Sequence, residues 1–231
     1  MQFRRALRPL AWTLAACVLL TAGWAAFMIT DPFSGQRQEA LQQQLHHSWR
    51  ASPAADRDPG GVTPRSQPGA ADGPGPGQPK LATGQPFALI RVPAFGPTWK
   101  FAIVQGTGLP QLALGPGHVP GTGLPGQRGN FVVAAHDITA GNPFRHLGTL
   151  RKPDKVHVYT RTHQYEYAVQ SERVVRYTDV SVQAPVPGHP GQAPGRARIT
   201  LITCTPVTLE FTPWRIVVTG ELVRSVPRAA A

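Results

Sequence analysis

The C-terminal part of the chain carries an alternation of residues that is typical of two neighbouring β-strands. Segment 198–206 reads RITLITCTP, and its β-branched residues alternate between two faces until Pro206, which cannot continue a central strand. A second apolar run, 214–220, follows after a turn bounded by prolines. Cys204 therefore ends one predicted strand and Arg215 opens the next, so a thiol and a guanidinium are expected on adjoining strands.

Alternating or continuous apolar runs recur upstream and predict a mainly β domain with enough short strands to close a barrel. A single helical turn is expected at 109–114, and Asn142 is expected to cap a short helix over 143–150 that turns Phe144 and Leu147 inward. The Pro/Gly segment 177–197 predicts a long loop, and loops of such length are often functional. The further strand-like runs are 87–92, 99–104, 131–135, 155–160, 164–169 and 173–177.

The N-terminal third has no such alternation. Residues 9–30 are apolar and uncharged, and at about 1.5 Å per residue they can cross a hydrocarbon core of about 30 Å, which predicts a transmembrane anchor. The arginines within residues 1–8 place the N-terminus in the cytoplasm and the rest of the chain outside. A cleaved signal peptide is the alternative, with a small-residue site at Ala25 and Ala26.

Between the anchor and the domain, segment 31–85 predicts a juxtamembrane region. Residues 36–50 are expected to form a short helix, and 51–85 is so rich in Pro, Gly and Ala that it predicts a disordered linker. The folded domain is accordingly expected at 86–231.

The net charge and the cysteine content limit which classes of function this chain can have. The net charge is +11, but the basic residues are scattered, without the aromatic-interleaved stripe that nucleic-acid binding favours, so no nucleic-acid partner is expected. Attraction to anionic wall polymers or lipid headgroups fits better. Of the two cysteines, Cys17 lies in the predicted anchor, which leaves Cys204 as an exported thiol without a disulfide partner. No acidic cluster suggests a metal site, and no cofactor is expected.

One histidine stands out among the eight in the chain. His136 ends the apolar strand 131–135 and enters a polar loop, in the same way that Cys204 ends its own strand. A thiol, an imidazole and a guanidinium supply a nucleophile, a proton carrier and a charge stabiliser for acyl transfer, so Cys204, His136 and Arg215 are the predicted catalytic residues. Other histidines lie outside the domain, among Gly and Pro, or on an outward strand face: His46, His47, His118, His189 and His157.

These motifs occur together in a known family. The order AH (135–136), TLITCTP (200–206) and WRIVV (214–218) resembles the sortases, membrane-anchored cysteine transpeptidases of Gram-positive bacteria. The runs GPGHVPGTGLPGQRGN (115–130) and NPFRHL (142–147) resemble class E, the housekeeping sortase of high-GC actinobacteria.

The resemblance implies an eight-stranded β-barrel whose Cys204 cleaves a C-terminal sorting signal between Thr and Gly. The thioacyl product would pass to an amine of a peptidoglycan precursor of the lipid II type, which joins secreted proteins to the cell wall. Signals of the Leu-Ala-x-Thr-Gly or Leu-Pro-x-Thr-Gly type are implied as substrates. Loop 177–197 would border the peptide groove, and the implied substrate-binding residues are Val119, Ala135, Thr203 and Thr205.

Two residues depart from the family's pattern, and alternatives remain. Ala135 stands where the family usually has Gly, and Val119 stands where many class E members carry an aromatic residue. A pilin-polymerising sortase and a catalytically silent scaffold with the same barrel are both compatible with these motifs. An L,D-transpeptidase fits less well, because its pattern places Gly before the cysteine, where this chain has Thr203.

Overall fold

A computed structural model describes residues 31, 33–51, 81–205 and 212–228. The predicted anchor at 9–30 and most of the predicted linker lie outside these residues. Within the described ranges, no helix has the length and apolar character needed to cross a membrane.

The domain is a closed, eight-stranded β-barrel, as expected. Its strands lie in the order β1-β2-β3-β4-β7-β8-β6-β5, and pairing of β5 with β1 closes the sheet. Two pairs of neighbouring strands are parallel, namely β2 with β3 and β4 with β7. The other pairs are antiparallel. The strands are β1 (Pro86–Arg91), β2 (Lys100–Gln105), β3 (Gly117–His118), β4 (Gly129–Ala134), β5 (Lys155–Tyr159), β6 (His163–Arg176), β7 (Ala197–Cys204) and β8 (Trp214–Pro227).

The alternation predicted for β7 sets which side chains fill the barrel. Ile199, Leu201 and Thr203 are buried, and Ile199 and Leu201 belong to the interior cluster together with Phe131 and Tyr165. Full burial of one such apolar side chain contributes about 1.5–3 kcal/mol. The opposite face of β7 carries Cys204, because successive side chains point to opposite sides of a strand.

The two runs predicted as separate strands at 164–169 and 173–177 form one strand. β6 runs unbroken from His163 to Arg176 and pairs with β8 over its whole length. Its register shifts at Glu166/Tyr167 and at Val169/Ser171, which are the irregularities expected of β-bulges. The shifts interrupt the simple alternation, so the sequence suggested a break where the strand bends.

The predicted helix at 36–50 exists and packs on the barrel. Helix α1 (Ser34–Ala51) buries Leu41, Leu45 and Trp49 against β1 and β2. These side chains are spaced four residues apart, so they share one face of the helix. The folded unit therefore includes α1 and does not begin at residue 86.

The prediction of a helix at 143–150 is wrong. The segment makes successive turns and a short 3-10 helix, Leu147–Thr149. Asn142 has φ +56°, whereas a helix-capping residue has extended backbone, so it does not cap a helix. Phe144 and Leu147 are nonetheless fully buried, as predicted. The predicted turn at 109–114 is the one-turn helix α2 (Leu109–Leu112).

Candidate active site

Cys204 and Arg215 are direct neighbours on antiparallel strands. Cys204 ends β7, Arg215 is the second residue of β8, and the two are paired in register. Directly opposite residues of such strands have Cβ atoms about 4.5–5.5 Å apart, so the thiol and the guanidinium share one face. The pairing predicted from the sequence is confirmed.

His136 reaches the same face through a different strand. β4 lies parallel to β7 with Ala134 opposite Ile202, so two residues further on His136 comes level with Cys204. The ladder continues past β4, because the Ala135 N–H donates to the Ile202 carbonyl at 3.1 Å. After the histidine, the Phe144 N–H donates to the His136 carbonyl at 3.0 Å, which anchors the loop that follows. The two strands thus bring the imidazole and the thiol to one end of the barrel.

Burial favours the neutral forms of both groups. Desolvation raises the pKa of the Cys204 thiol, and the nearby Asp137 carboxylate raises it further, while Arg215 opposes both by favouring the thiolate. Desolvation lowers the pKa of His136, and Asp137 partly offsets this effect. The resting pair is therefore biased toward a thiol beside a neutral imidazole, which can accept the thiol proton during attack.

Arg215 is held in place by backbone carbonyls and an aromatic ring. Its Nη1 donates to the Thr212 carbonyl at 2.8 Å and to the Trp214 carbonyl at 2.9 Å. Its guanidinium lies 5.8 Å from the centre of the Tyr177 ring, within cation–π range. One nitrogen is thus used for anchoring, and the planar group retains further N–H donors for an oxygen of a substrate.

A groove of about 210 Å³ is lined by Arg215 and by Ala134 and Ile202, which lie two residues before His136 and Cys204 along their strands. Its floor comes from β4, β7 and β8, and one wall comes from the loop after β6, where a 3-10 helix (Val180–Gln183) lies over the strands. Val119, predicted to bind substrate, lines this groove, and so does the start of the predicted loop 177–197. Its apolar and aromatic lining includes Val119, Ala134, Tyr177, Val182, Ile202 and Val217.

The other three predicted substrate-binding residues lie elsewhere. Ala135 belongs to the barrel interior, and the buried Thr203 donates its Oγ1 hydrogen to the Ala135 carbonyl at 2.8 Å. This bond between a side chain and a backbone carbonyl holds the end of β4 to β7 immediately beside His136 and Cys204, and neither residue lines the groove. Thr205 lies 2.7 Å, Oγ1 to Oγ1, from Thr212 and thereby closes the ends of β7 and β8.

Some groove residues were not predicted, although the sequence contained a signal for them. Ile202 and Val217 lie two positions from Cys204 and Arg215, and residues spaced by two share a strand face. Tyr177 and Val182 belong to a loop whose importance was predicted but whose inward-facing residues were not. In the described ranges, no group of three or more His, Cys, Asp or Glu residues is placed to hold a metal ion.

Comparison with known proteins assigns the fold and its motifs to one family. The family model of the sortase domain matches residues 90–223, which include all three catalytic candidates. The chain belongs to the sortase family. This sortase is 41% identical over 104 residues to Sortase SrtE1 of Streptomyces coelicolor, an alignment that covers 44% of this chain and 28% of that protein.

Solved structures agree with this assignment. The structure of sortase E from Streptomyces avermitilis has a TM-score of 0.57 and 35% identity, and the match covers 63% of this sortase and 93% of that chain. Sortase E1 of Streptomyces coelicolor, solved with a tripeptide in the active site, has a TM-score of 0.56 and 34% identity. That match covers 64% of this sortase and 94% of that chain. The sortase is therefore similar to class E members, although the curated relative is matched over less than a third of its length.

Proposed function

We propose that this sortase is a cysteine transpeptidase that cleaves a C-terminal sorting signal between Thr and Gly and joins the released carbonyl to an amine. The observation that carries the proposal is the convergence of Cys204, His136 and Arg215 at one end of the barrel, beside a groove formed by the strands that bear them. Nucleophile, proton carrier and charge stabiliser come from three different strand ends, and the barrel holds all three.

In the first half of the reaction, Sγ of Cys204 attacks the Thr carbonyl carbon while His136 takes the thiol proton. Arg215 donates a hydrogen bond to the carbonyl oxygen as negative charge develops there. The Thr–Gly C–N bond then breaks, and His136 gives its proton to the leaving glycine nitrogen.

In the second half, an acceptor amine attacks the thioester. His136 accepts a proton from that amine, the C–S bond breaks, and Cys204 recovers the proton as a thiol. Atoms and protons balance, and the product is a new amide at the Thr carbonyl.

The groove supports a short, extended, partly apolar peptide as substrate. Its lining combines apolar side chains such as Ile202 and Val217 with the small Ala134 on the floor. This suits signals of the Leu-Ala-x-Thr-Gly or Leu-Pro-x-Thr-Gly type, and the tripeptide in the related Streptomyces coelicolor structure supports peptide binding in this fold. We assign the enzyme to class E on these grounds.

We further propose that the sortase is a single-pass membrane protein with its N-terminus in the cytoplasm and its barrel outside the cell. The apolar segment 9–30 and the arginines before it support the anchor. In this location the partners are secreted proteins that carry a sorting signal and a lipid II-type peptidoglycan precursor that supplies the amine.

The proposal is tested with the full chain in detergent micelles, a Leu-Ala-x-Thr-Gly peptide or its Leu-Pro counterpart, and an amine acceptor, with product masses followed over time. We expect a Thr-amide product that is lost in Cys204→Ala. Cys17→Ala is the matched control, since it removes the other cysteine of the chain, and it should retain activity. Folded protein that forms neither product nor a thioester at Cys204 would favour the silent scaffold.

A further inference from the structure

A buried carboxylate adjoins the catalytic pair, and the mechanism above does not use it. Asp137 directly follows His136 and is only 6% exposed. It lies in the bend that follows β4, between His136 and the turns that lead to Phe144. Among the described residues it takes part in no salt bridge.

A bend of this kind does not require a charged residue. Asn and Ser also favour turns, and they carry no charge into the interior. Burying a carboxylate without an ion-pair partner is costly, and desolvation accordingly raises the pKa of Asp137. A carboxyl group placed here despite that cost, directly beside His136, points to an electrostatic function.

The charged and titratable groups that face this region come from each neighbouring element. His136 lies on the same loop, Arg145 lies on the turns that follow, Cys204 ends β7, and Arg215 lies opposite Cys204 on β8. Asp137 acts on both members of the catalytic pair, favouring imidazolium at His136 and disfavouring thiolate at Cys204. Arg145 and His136 in turn stabilise its negative charge.

We propose that Asp137 is a positioning residue whose buried carboxylate, next to His136 and near the strand end that bears Cys204, sets the proton balance between the two. Its charge keeps the thiol protonated at rest, and it stabilises the imidazolium that forms when Cys204 attacks. Arg215 thereby stabilises negative charge at the sulfur and at the substrate oxygen. Asp137 stabilises positive charge at His136.

The test replaces the carboxylate by an amide of the same shape. In Asp137→Asn, the pH midpoint for alkylation of Cys204 by iodoacetamide should move to lower pH, because a charge that opposes thiolate is gone. Transpeptidation should nevertheless fall by about 10- to 100-fold in kcat/KM, because the imidazolium loses its stabilising charge. A loosened fold that exposed Cys204 would also lower the thiol pKa. A charge effect is therefore identified by the shifted midpoint together with a free energy of urea unfolding in Asp137→Asn that stays close to the wild-type value.

Alkylation is measured on the full chain by the mass of the tryptic fragment 199–215, which contains Cys204 and not Cys17. Asp154→Asn is the matched control, because Asp154 is likewise an aspartate in a turn, where it accepts the Arg151 N–H at 2.8 Å, but it is only partly buried and does not adjoin the catalytic residues. Asp137→Glu, which keeps the charge, should restore most of the wild-type midpoint.

Three results would overturn the proposal. The first is an alkylation midpoint in Asp137→Asn that equals that of Asp154→Asn, and the second is a midpoint that moves to higher pH. The third is failure of both Asp137→Asn and Asp137→Ser to fold while Asp137→Glu folds, which would assign Asp137 a purely structural role.

The inference about turnover rests on the proposed transpeptidase function, but the alkylation experiment needs no peptide. A shifted midpoint in a protein that turns over neither peptide would retain the proton-balance role and reject the transpeptidase. An unshifted midpoint with normal peptide turnover would retain the transpeptidase and reject the proton-balance role of Asp137.

Discussion

At the scale of single residues, burial decides which polar groups carry charge. His118 shows this away from the active site. It is 2% exposed in β3, and its ring nitrogens lie 2.7 Å from Gln105 Oε1 and 3.0 Å from Thr122 Oγ1. The sequence placed His118 among Gly and Pro residues of a loop, yet the structure makes it a polar link between β2 and the segment that leads to the groove.

His118 should make stability depend on pH. Burial lowers its pKa from the usual 6.5 to about 4, so below pH 6.5 the unfolded chain binds a proton that the folded protein excludes. Its contribution is present above pH 6.5 and is lost as pH falls toward 4, which amounts to roughly 3 kcal/mol. Urea unfolding at several pH values should show a shallower decline for His118→Gln than for the wild type.

The comparison isolates His118 because His46, His136 and His157, whose pKa values are also lowered by burial, remain in both proteins. An equally steep decline in the variant would assign the acid sensitivity to those histidines and to the carboxylates.

At the scale of elements, the loop after β6 is tied to the barrel by one buried side chain. Asn130, 1% exposed on β4, donates from Nδ2 to the carbonyls of Val182 and Ala184, both at 3.0 Å. Its Oδ1 accepts a hydrogen bond from Thr200 at 2.7 Å. Because Val182 forms part of the groove wall, this one amide links the wall to the strands beneath it.

Asn130→Ala should loosen the groove wall. The change leaves buried carbonyls and a hydroxyl without their partner, a loss of about 1–3 kcal/mol, and the substrate would have to order the loop on binding. Steady-state kinetics should show KM for the signal peptide raised several-fold with a smaller change in kcat.

Gln38→Ala is the matched control for this variant. Gln38 also ties backbone groups together, accepting from the Ala102 N–H at 2.8 Å and donating to the Leu114 carbonyl, but it lies on α1 and does not line the groove. A similar rise in KM in both variants would mean that general loss of stability, and not the loop, is responsible.

At the scale of the whole molecule, two apolar clusters hold the described domain together. One fills the barrel and includes Leu201, and the other lies between α1 and the outside of β1 and β2 and includes Leu45. The barrel closes through its own strand pairs, whereas α1 depends on the barrel for its packing surface. The two clusters should therefore contribute differently to stability.

Leu201→Ala should destabilise the entire domain, by about 2–5 kcal/mol, and speed hydrogen exchange in both β7 and α1. Leu45→Ala should speed exchange in α1 and leave β7 nearly unchanged, because the helix can detach from a closed barrel. Exchange measured peptide by peptide with mass spectrometry distinguishes these patterns. Faster exchange of β7 in Leu45→Ala would show that helix and barrel unfold as one unit.

Much of the fold and site could be predicted from local patterns. Alternation along β7 and β8 and the short distance between them along the chain placed Cys204 beside Arg215, because adjacent strands joined by a turn usually pair. The position of His136 at the end of an apolar strand also identified it. The stripe of Leu41, Leu45 and Trp49 carried the signal for the packed face of α1, although the helix was expected to stand apart from the domain.

What the sequence by itself determined is seven of the eight strands, with β6 divided in two and the short β3 missed, and the three candidate residues, since these follow from side-chain chemistry and a period of two. Only the tertiary structure decided the parallel pairing of β4 with β7, which brings His136 level with Cys204, because no local pattern specifies which distant strand becomes a neighbour. The same pairing turned Ala135 and Thr203 into the interior and buried Asp137. Orientation and burial depend on register between segments far apart in the chain, and register exists only once the barrel has closed.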